Sequence, residues 1–252
     1  MLSSLPRNGR MQKLMGPMAA AVMLICQPCP RALAQAGRPP ADISGVWWAT
    51  SYRPRITPAD GGTIPFTQDG RALQVKNLEE LKRNPASDST QSLCVPPGLP
   101  RALTSPYPFQ IYQSDAQVVF IHEANRAFRI VLMHATHADP KVWDPSYMGE
   151  GIGRWDGDAL VIDTRNFNAK TWLDDSALPH SDQLHTIERL RTLKGGRELE
   201  DVVTIEDPVI YSKAWTIRLL FQHRPDVQIV TDWVCGEAHR DLSGISGAVS
   251  HR

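Results

Sequence analysis

From residue 109 to residue 221 the chain is a succession of short runs in which apolar and polar residues alternate, joined by turn dipeptides. That pattern restricts the fold more than any other feature. Strict alternation over four to eight residues marks a strand with one buried face, because successive side chains point to opposite sides. The alternation predicts strands over 109–114, 117–123, 127–134, 151–156, 158–164, 183–193, 197–206, 211–221 and 227–234, with another at 45–50. Asp156-Gly157 and Gly195-Gly196 supply the left-handed backbone that tight hairpins need. No strand alternates with a helical run, so a doubly wound parallel sheet is excluded. The expected fold is mainly β, an antiparallel up-and-down barrel or a strongly curved sandwich. Its one helix is predicted over 67–83, capped by Thr67 with Asp69 in the first turn and Gly70 as its weak point.

Residues 1–34 read as a secretory signal peptide. Arg7, Arg10 and Lys13 precede an apolar run at 14–26, and Ala32-Leu33-Ala34 forms a small-residue cleavage site. The run is too short for a membrane anchor, so no integral membrane segment is expected after cleavage and the protein is placed in the periplasm or outside the cell. The chain has 27 basic and 27 acidic residues. The leader removes four bases, Arg31 included, and no acid, which leaves the mature protein mildly acidic. With no polybasic block, nucleic acid is excluded as the main partner. Only Cys94 and Cys235 remain in the mature chain, and an even pair in an oxidising compartment reads as one disulfide. The expected organisation is a lead-in at 35–42, a single β-rich domain at 43–240 and a tail at 241–252. Oligomeric state has no sequence signal.

Several catalytic signatures come close and fail. His122-Glu123-Ala124-Asn125-Arg126 has Arg126 where a zinc hydrolase needs its second histidine. Gly149-Glu150-Gly151-Ile152-Gly153 leads into a strand rather than a helix. Gly244-Ile245-Ser246-Gly247-Ala248 lacks the final glycine of a nucleophile elbow. No cofactor is therefore expected.

The candidate chemistry lies between residues 154 and 189. A long loop from 166 to 183 carries Trp172, Asp174 and His180 and runs into His185 and Arg189. Loops of that length inside a compact domain are usually functional or mobile. On an extended strand His185 and Arg189 share one face and Glu188 takes the other, so His185 and Arg189 are expected to line the barrel interior, with His180 lowered over the opening. A metal at His180, His185 and a carboxylate is the alternative for the cluster. A second segment, from Cys94 through Pro96, Pro97 and Pro100, presents Arg101 and Tyr107 on stiff backbone. His122 and His134, on apolar strands, read as core histidines.

These residues resemble a family. Asp42-Ile43-Ser44-Gly45-Val46-Trp47, then Pro96-Pro97-Gly98-Leu99-Pro100-Arg101, Gly153-Arg154-Trp155-Asp156-Gly157-Asp158, Leu160-Val161-Ile162-Asp163-Thr164 and Thr171-Trp172-Leu173-Asp174 resemble a large group of exported bacterial proteins that carry no assigned reaction. The resemblance implies export and a shared site. Gly45-Val46-Trp47 also resembles the opening strand of lipocalins, which implies a barrel with a ligand cavity in its mouth.

The expected function is cofactor-free acid/base chemistry, as a lyase, isomerase or hydrolase, on a small aromatic or cyclic molecule. His180 and His185 would move the proton and Asp174 would orient them. Arg101, Tyr107, Trp172 and Arg189 would bind the substrate. The alternative is a periplasmic carrier with a lipocalin-like cavity. Scatter of His180, His185, Asp174 and Arg101 over different faces would remove this enzyme reading; convergence on one concavity would leave turnover, compared with His185→Ala, to separate enzyme from carrier.

Overall fold

A computed structural model describes residues 41–139 and 141–231. Nine strands close into a barrel in sequence order. They are β1 (Gly45–Ala49), β2 (Phe109–Gln113), β3 (Gln117–His122), β4 (Phe128–Met133), β5 (Glu150–Asp156), β6 (Ala159–Arg165), β7 (His185–Leu193), β8 (Glu198–Glu206) and β9 (Trp215–His223). β1 seals the ring by pairing with β2 on one side and β9 on the other, where Trp47 lies opposite His223.

Nine is odd, and that has a consequence. Antiparallel neighbours alternate in direction around a ring, so a ring with an odd number of strands must contain a parallel pair. Here it is β4 with β5, registered as Val131 to Gly151 and Leu132 to Ile152. A parallel pair cannot be joined by a hairpin and needs a crossover. Residues 134–149 supply it. The barrel is otherwise the up-and-down form that the alternation predicts.

The expected helix forms as α1 (Gln68–Arg83), with the Thr67 hydroxyl accepting from the Gly70 N–H at 2.9 Å. Gly70 is needed for close approach, since a Cβ there would stand 2.1 Å from the Ile210 carbonyl oxygen. Two single turns, α2 (Ser89–Ser92) and α3 (Arg101–Thr104), are too short for a periodic signal. The strand expected at 211–221 starts later, at Trp215. Tyr211 instead makes an isolated bridge to Phe66. Residues 227–231 are not strand, which removes the tenth strand as far as the described residues run. The signal peptide, nearly all of the lead-in, residues 232–234, Cys235 and the tail at 241–252 lie outside those residues.

Large side chains fill the barrel. Trp47, Phe120, Phe221, Leu160 and Ile162 are fully buried in one continuous core, and Phe109 meets Phe221 edge-on at 5.0 Å. Besides His122, three further ionisable groups project into this core. Arg129 of β4 donates from Nη1 and Nη2 to Glu188 of β7 at 2.5 and 2.7 Å, and its guanidinium lies 4.1 Å from the Phe120 ring centre. Asp201 of β8, fully buried, stands beside them. Burial first and the neighbouring Glu188 second push Asp201 well above the ordinary carboxylate range, so it is held neutral. Glu188 therefore occupies the interior face of β7. His185 and Arg189 lie on the outer face, which corrects the expectation that they line the interior. The reason is that Arg129 reaches across the barrel to neutralise Glu188, while Thr186 and Leu190 complete the inward row.

Removing one partner of a buried ion pair leaves an uncompensated charge. Arg129→Met should cost about 3–5 kcal/mol in urea unfolding. Asp201 gives a pH signature. Its folded pKa is raised, so the folded state holds a proton that the unfolded state releases above about pH 4. Its contribution is fully present below the unfolded value and declines as pH rises toward the folded one. Asp201→Asn should flatten that decline, measured as unfolding midpoint against pH.

Candidate functional site

The residues expected to converge do not. Asp174 is buried and organises its own loop. Its carboxylate accepts from the Ile56 N–H at 3.0 Å, from the Ser176 N–H and hydroxyl at 2.9 and 2.8 Å, and from the Leu178 N–H at 3.3 Å. Burial outweighs these bonds and raises its pKa. His180 is buried against Phe167 and donates from Nδ1 to the Ser181 carbonyl at 2.9 Å, and burial lowers its pKa. Arg101 is buried too. It is clamped by Asp88 through two bonds of 2.9 and 2.6 Å and by Asp175 at 2.8 Å, and Asp175 also accepts from the Tyr52 hydroxyl. Tyr107 is half exposed near Tyr52. Trp172 is half-buried on the loop, and Arg189 points outward to an ion pair with Asp156 at 2.6 Å. His122 is a core residue as expected. It packs against Phe109 and Phe120, and burial lowers its pKa to about 3. The loop at 166–183 is thus a structural brace. It also holds α1, through Gln74 to the Ser176 carbonyl and Asn77 to the Ala177 carbonyl.

One expected residue, His185, belongs to a different cluster. Antiparallel register brings the first residues of β5 and β7 and the last residues of β6 and β8 to one end of the barrel. On the outer face of that end stand Glu150, Arg165, His185 and Glu206, with Asp163 one outward position along β6. The β4–β5 crossover adds His137. At its start His134, expected in the core, is exposed instead because it lies past the end of β4: it takes a left-handed conformation, φ +58°, and its N–H bonds to the Gly153 carbonyl, which turns the chain back over β5. Two bonds from the Ala138 N–H to Glu150, at 3.0 and 3.2 Å, anchor it there.

The result is a chain of alternating acids and imidazoles. Glu150 Oε2 lies 3.1 Å from His137 Nδ1, and His137 Nε2 lies 2.8 Å from Asp163 Oδ1. The same Asp163 oxygen is 3.1 Å from His185 Nε2, a contact off the hydrogen-bond line. His185 Nδ1 lies 3.1 Å from Glu206 Oε2. Arg165 Nε donates to Asp163 at 3.1 Å. Burial opposes ionisation of Asp163, but Arg165, His137 and His185 outweigh it and hold Asp163 below the ordinary carboxylate range. An ionised carboxylate only accepts. Each imidazole can therefore satisfy both of its neighbours only by carrying protons on both nitrogens or by sharing one with an acid.

The cluster is open to solvent. A hollow of about 510 Å³, lined by residues that include His137, Asp163, Ile152, Arg154, Val161 and Ile187, lies on one side of His137. A second of about 560 Å³, lined by Glu150, Arg165, Asp182, Gln183, His185 and Glu206 among others, lies on the other. Both volumes are in the range of small-molecule sites. Among the described residues no three His, Cys, Asp or Glu side chains stand at metal-holding spacing. His180 and His185 share no partner, which removes the metal alternative drawn from that pair. No helix of the described residues is long and apolar enough to cross a membrane.

No protein-family model matches the chain, and no curated protein is similar to it. The assignment of the site therefore rests on its own geometry. Asp163 lies in a segment quoted for the family resemblance, where its place between inward Ile162 and Thr164 marks it as outward. His137 carries no motif, yet it lies on a long connection with no strand or helix of its own among the described residues, so loop length is the signal that could find it.

Because Asp174 serves the loop and not the groove, Asp174→Ala should destabilise the fold by about 2–4 kcal/mol by leaving buried donors unpaired. The imidazole resonances of His137 and His185, followed by NMR titration, should stay where they are in the parent protein.

Proposed function

We propose that the protein is an acid/base enzyme acting on a small molecule, with its active site in the outer-wall groove rather than in the barrel. The observation that carries this reading is the sequence of contacts from Glu150 through His137, Asp163 and His185 to Glu206. Two imidazoles gripping one carboxylate form a proton-handling unit. One ring accepts a proton from the substrate while the other returns one, and Asp163 stabilises whichever ring is charged. Glu150 and Glu206 fix the ring orientations through the outer nitrogens. Apo hydrogen bonds in such sites are often misaligned, and a small rotation of His185 would bring its Nε2 onto the line to Asp163. Moving a proton between two positions suits an isomerase or lyase, and delivering one to a leaving group suits a hydrolase.

Export and a disulfide between Cys94 and Cys235 complete the proposal, on the strength of the leader pattern and the even cysteine count. A non-reducing peptide map of the mature protein should yield a fragment that links the two cysteines.

The function is tested by incubating the purified protein with a metabolite extract and following depletion by mass spectrometry. His137→Gln and His185→Gln should each slow the depletion by about 10²–10⁴-fold, the usual contribution of a positioned acid or base. Depletion at the parent rate in both variants would refute the site. Retention of a metabolite without turnover would turn the reading into that of a carrier.

A further inference from the structure

β4 carries its polarity inside out. Its inward positions include the charged Arg129, while its outward positions are Phe128, Ile130 and Leu132, between 44% and 64% exposed. Outward positions on a solvated antiparallel face are ordinarily polar, and a contiguous exposed apolar row marks a contact surface. Toward β3 the row continues through half-buried Val119 and Ile121 to exposed Tyr112 of β2, and toward β5 it continues as far as the groove. Leu132 is registered beside Ile152 of β5, and Ile152 lies opposite Asp163 of β6. Ile152, Val161 and Ile187 line the hollow beside His137. An apolar track therefore leads from the outer face of β4 to the acid/base chain and stops there.

Charge orients what lies on the track. Arg154, two residues from Ile152 on β5 and opposite Val161, is exposed, lines the same hollow, and makes no side-chain hydrogen bond or close ion pair among the described residues. The opposite side of His137 carries Glu150, Asp182 and Glu206, and its one arginine, Arg165, is already engaged by Asp163. An anion is repelled from that side and attracted to Arg154. From Arg154 over Ile152 and Leu132 to Ile130 the path is roughly 18 Å by strand rise and spacing, the length of a medium alkyl chain with its head group.

We infer that the groove takes an amphiphile with a single anionic head and an extended apolar body. The head pairs with Arg154, the body lies along Ile152, Leu132 and Ile130, and the reacting bond passes His137 and Asp163. The inference rests on the acid/base reading for its last clause only.

The test is calorimetric titration with dodecanoate below its micellar concentration. The parent protein should bind it saturably at one site, with hexanoate at least tenfold weaker. Arg154→Gln should weaken dodecanoate at least tenfold, while Arg154→Lys recovers most of the loss. The double substitution Ile130→Ser with Leu132→Ser, on the solvent side of the strand, should do the same with the unfolding midpoint unchanged. Equal affinity for both fatty acids, or affinity indifferent to these substitutions, overturns the inference. So does sedimentation with phosphatidylglycerol vesicles in the absence of saturable dodecanoate binding, which assigns the row to a membrane surface. Concentration-dependent dimerisation abolished by the serine pair, again without dodecanoate binding, assigns it to a second copy and overturns it equally. Failed dodecanoate binding with turnover still lost in His185→Gln rejects the ligand class alone. Intact dodecanoate binding with turnover insensitive to His185→Gln sustains the ligand class and rejects the catalytic reading.

Discussion

Parity governs this barrel. A closed ring of nine strands cannot be antiparallel throughout, and the mismatch is resolved between β4 and β5. Every other neighbouring pair that follows in sequence from β5 onward is antiparallel, and the β5–β6 and β7–β8 turns are short, whereas the parallel pair requires residues 134–149 to bring the chain back from the level of Gly153 to the start of β5. That excursion carries His137 back over the outer face of β5 and β6, where Asp163 is already positioned by register. The feature that spoils the regularity of the fold is thus the one that completes its candidate site.

At β4 and the strands it faces, polarity departs from the ordinary pattern of the wall. Arg129, Glu188 and Asp201 lie inside among aromatic and branched side chains, while Phe128, Ile130 and Leu132 face outward. A buried ion pair contributes little net stability compared with an apolar replacement, because desolvation offsets much of the attraction. What it does provide is an alignment constraint. β4 and β7 sit apart in the ring, and the two-pronged contact between Arg129 and Glu188 ties them in one register.

The fold was legible because alternation reports a strand directly, and because Asp156-Gly157 and Gly195-Gly196 mark two of the turns. Thr67 and Asp69 likewise placed α1 to within a residue. The site was only partly legible. Alternation tells that His185 and Glu188 point in opposite directions but not which direction is inward. The apolar count on β7 is no guide, since Ile187 lies outward as groove floor and the interior accepts Glu188 because of Arg129, 59 residues away in sequence. Asp174 and His180 drew attention as polar residues on a long loop. Their bonds to Ile56, Ser176, Leu178 and Ser181 are what let a loop of that length hold one conformation. His137 has no signal in its sequence neighbours, and its place in the candidate site comes from a crossover that the odd strand number makes necessary.

The seam between β1 and β9 sets a different condition, one of timing. Trp47 meets His223 across almost the whole length of the domain. The hairpins β5–β6, β7–β8 and β8–β9 join residues near in sequence and can form as soon as they are made. β1 has only five residues, and its second partner is the last strand among the described residues. Contacts of such separation close late and slow the search for the native topology. β1 can pair with β2 through Val46 and Trp47 first, but its other edge stays unpaired until β9 is in place. The barrel does not exist as a ring until synthesis has passed residue 223.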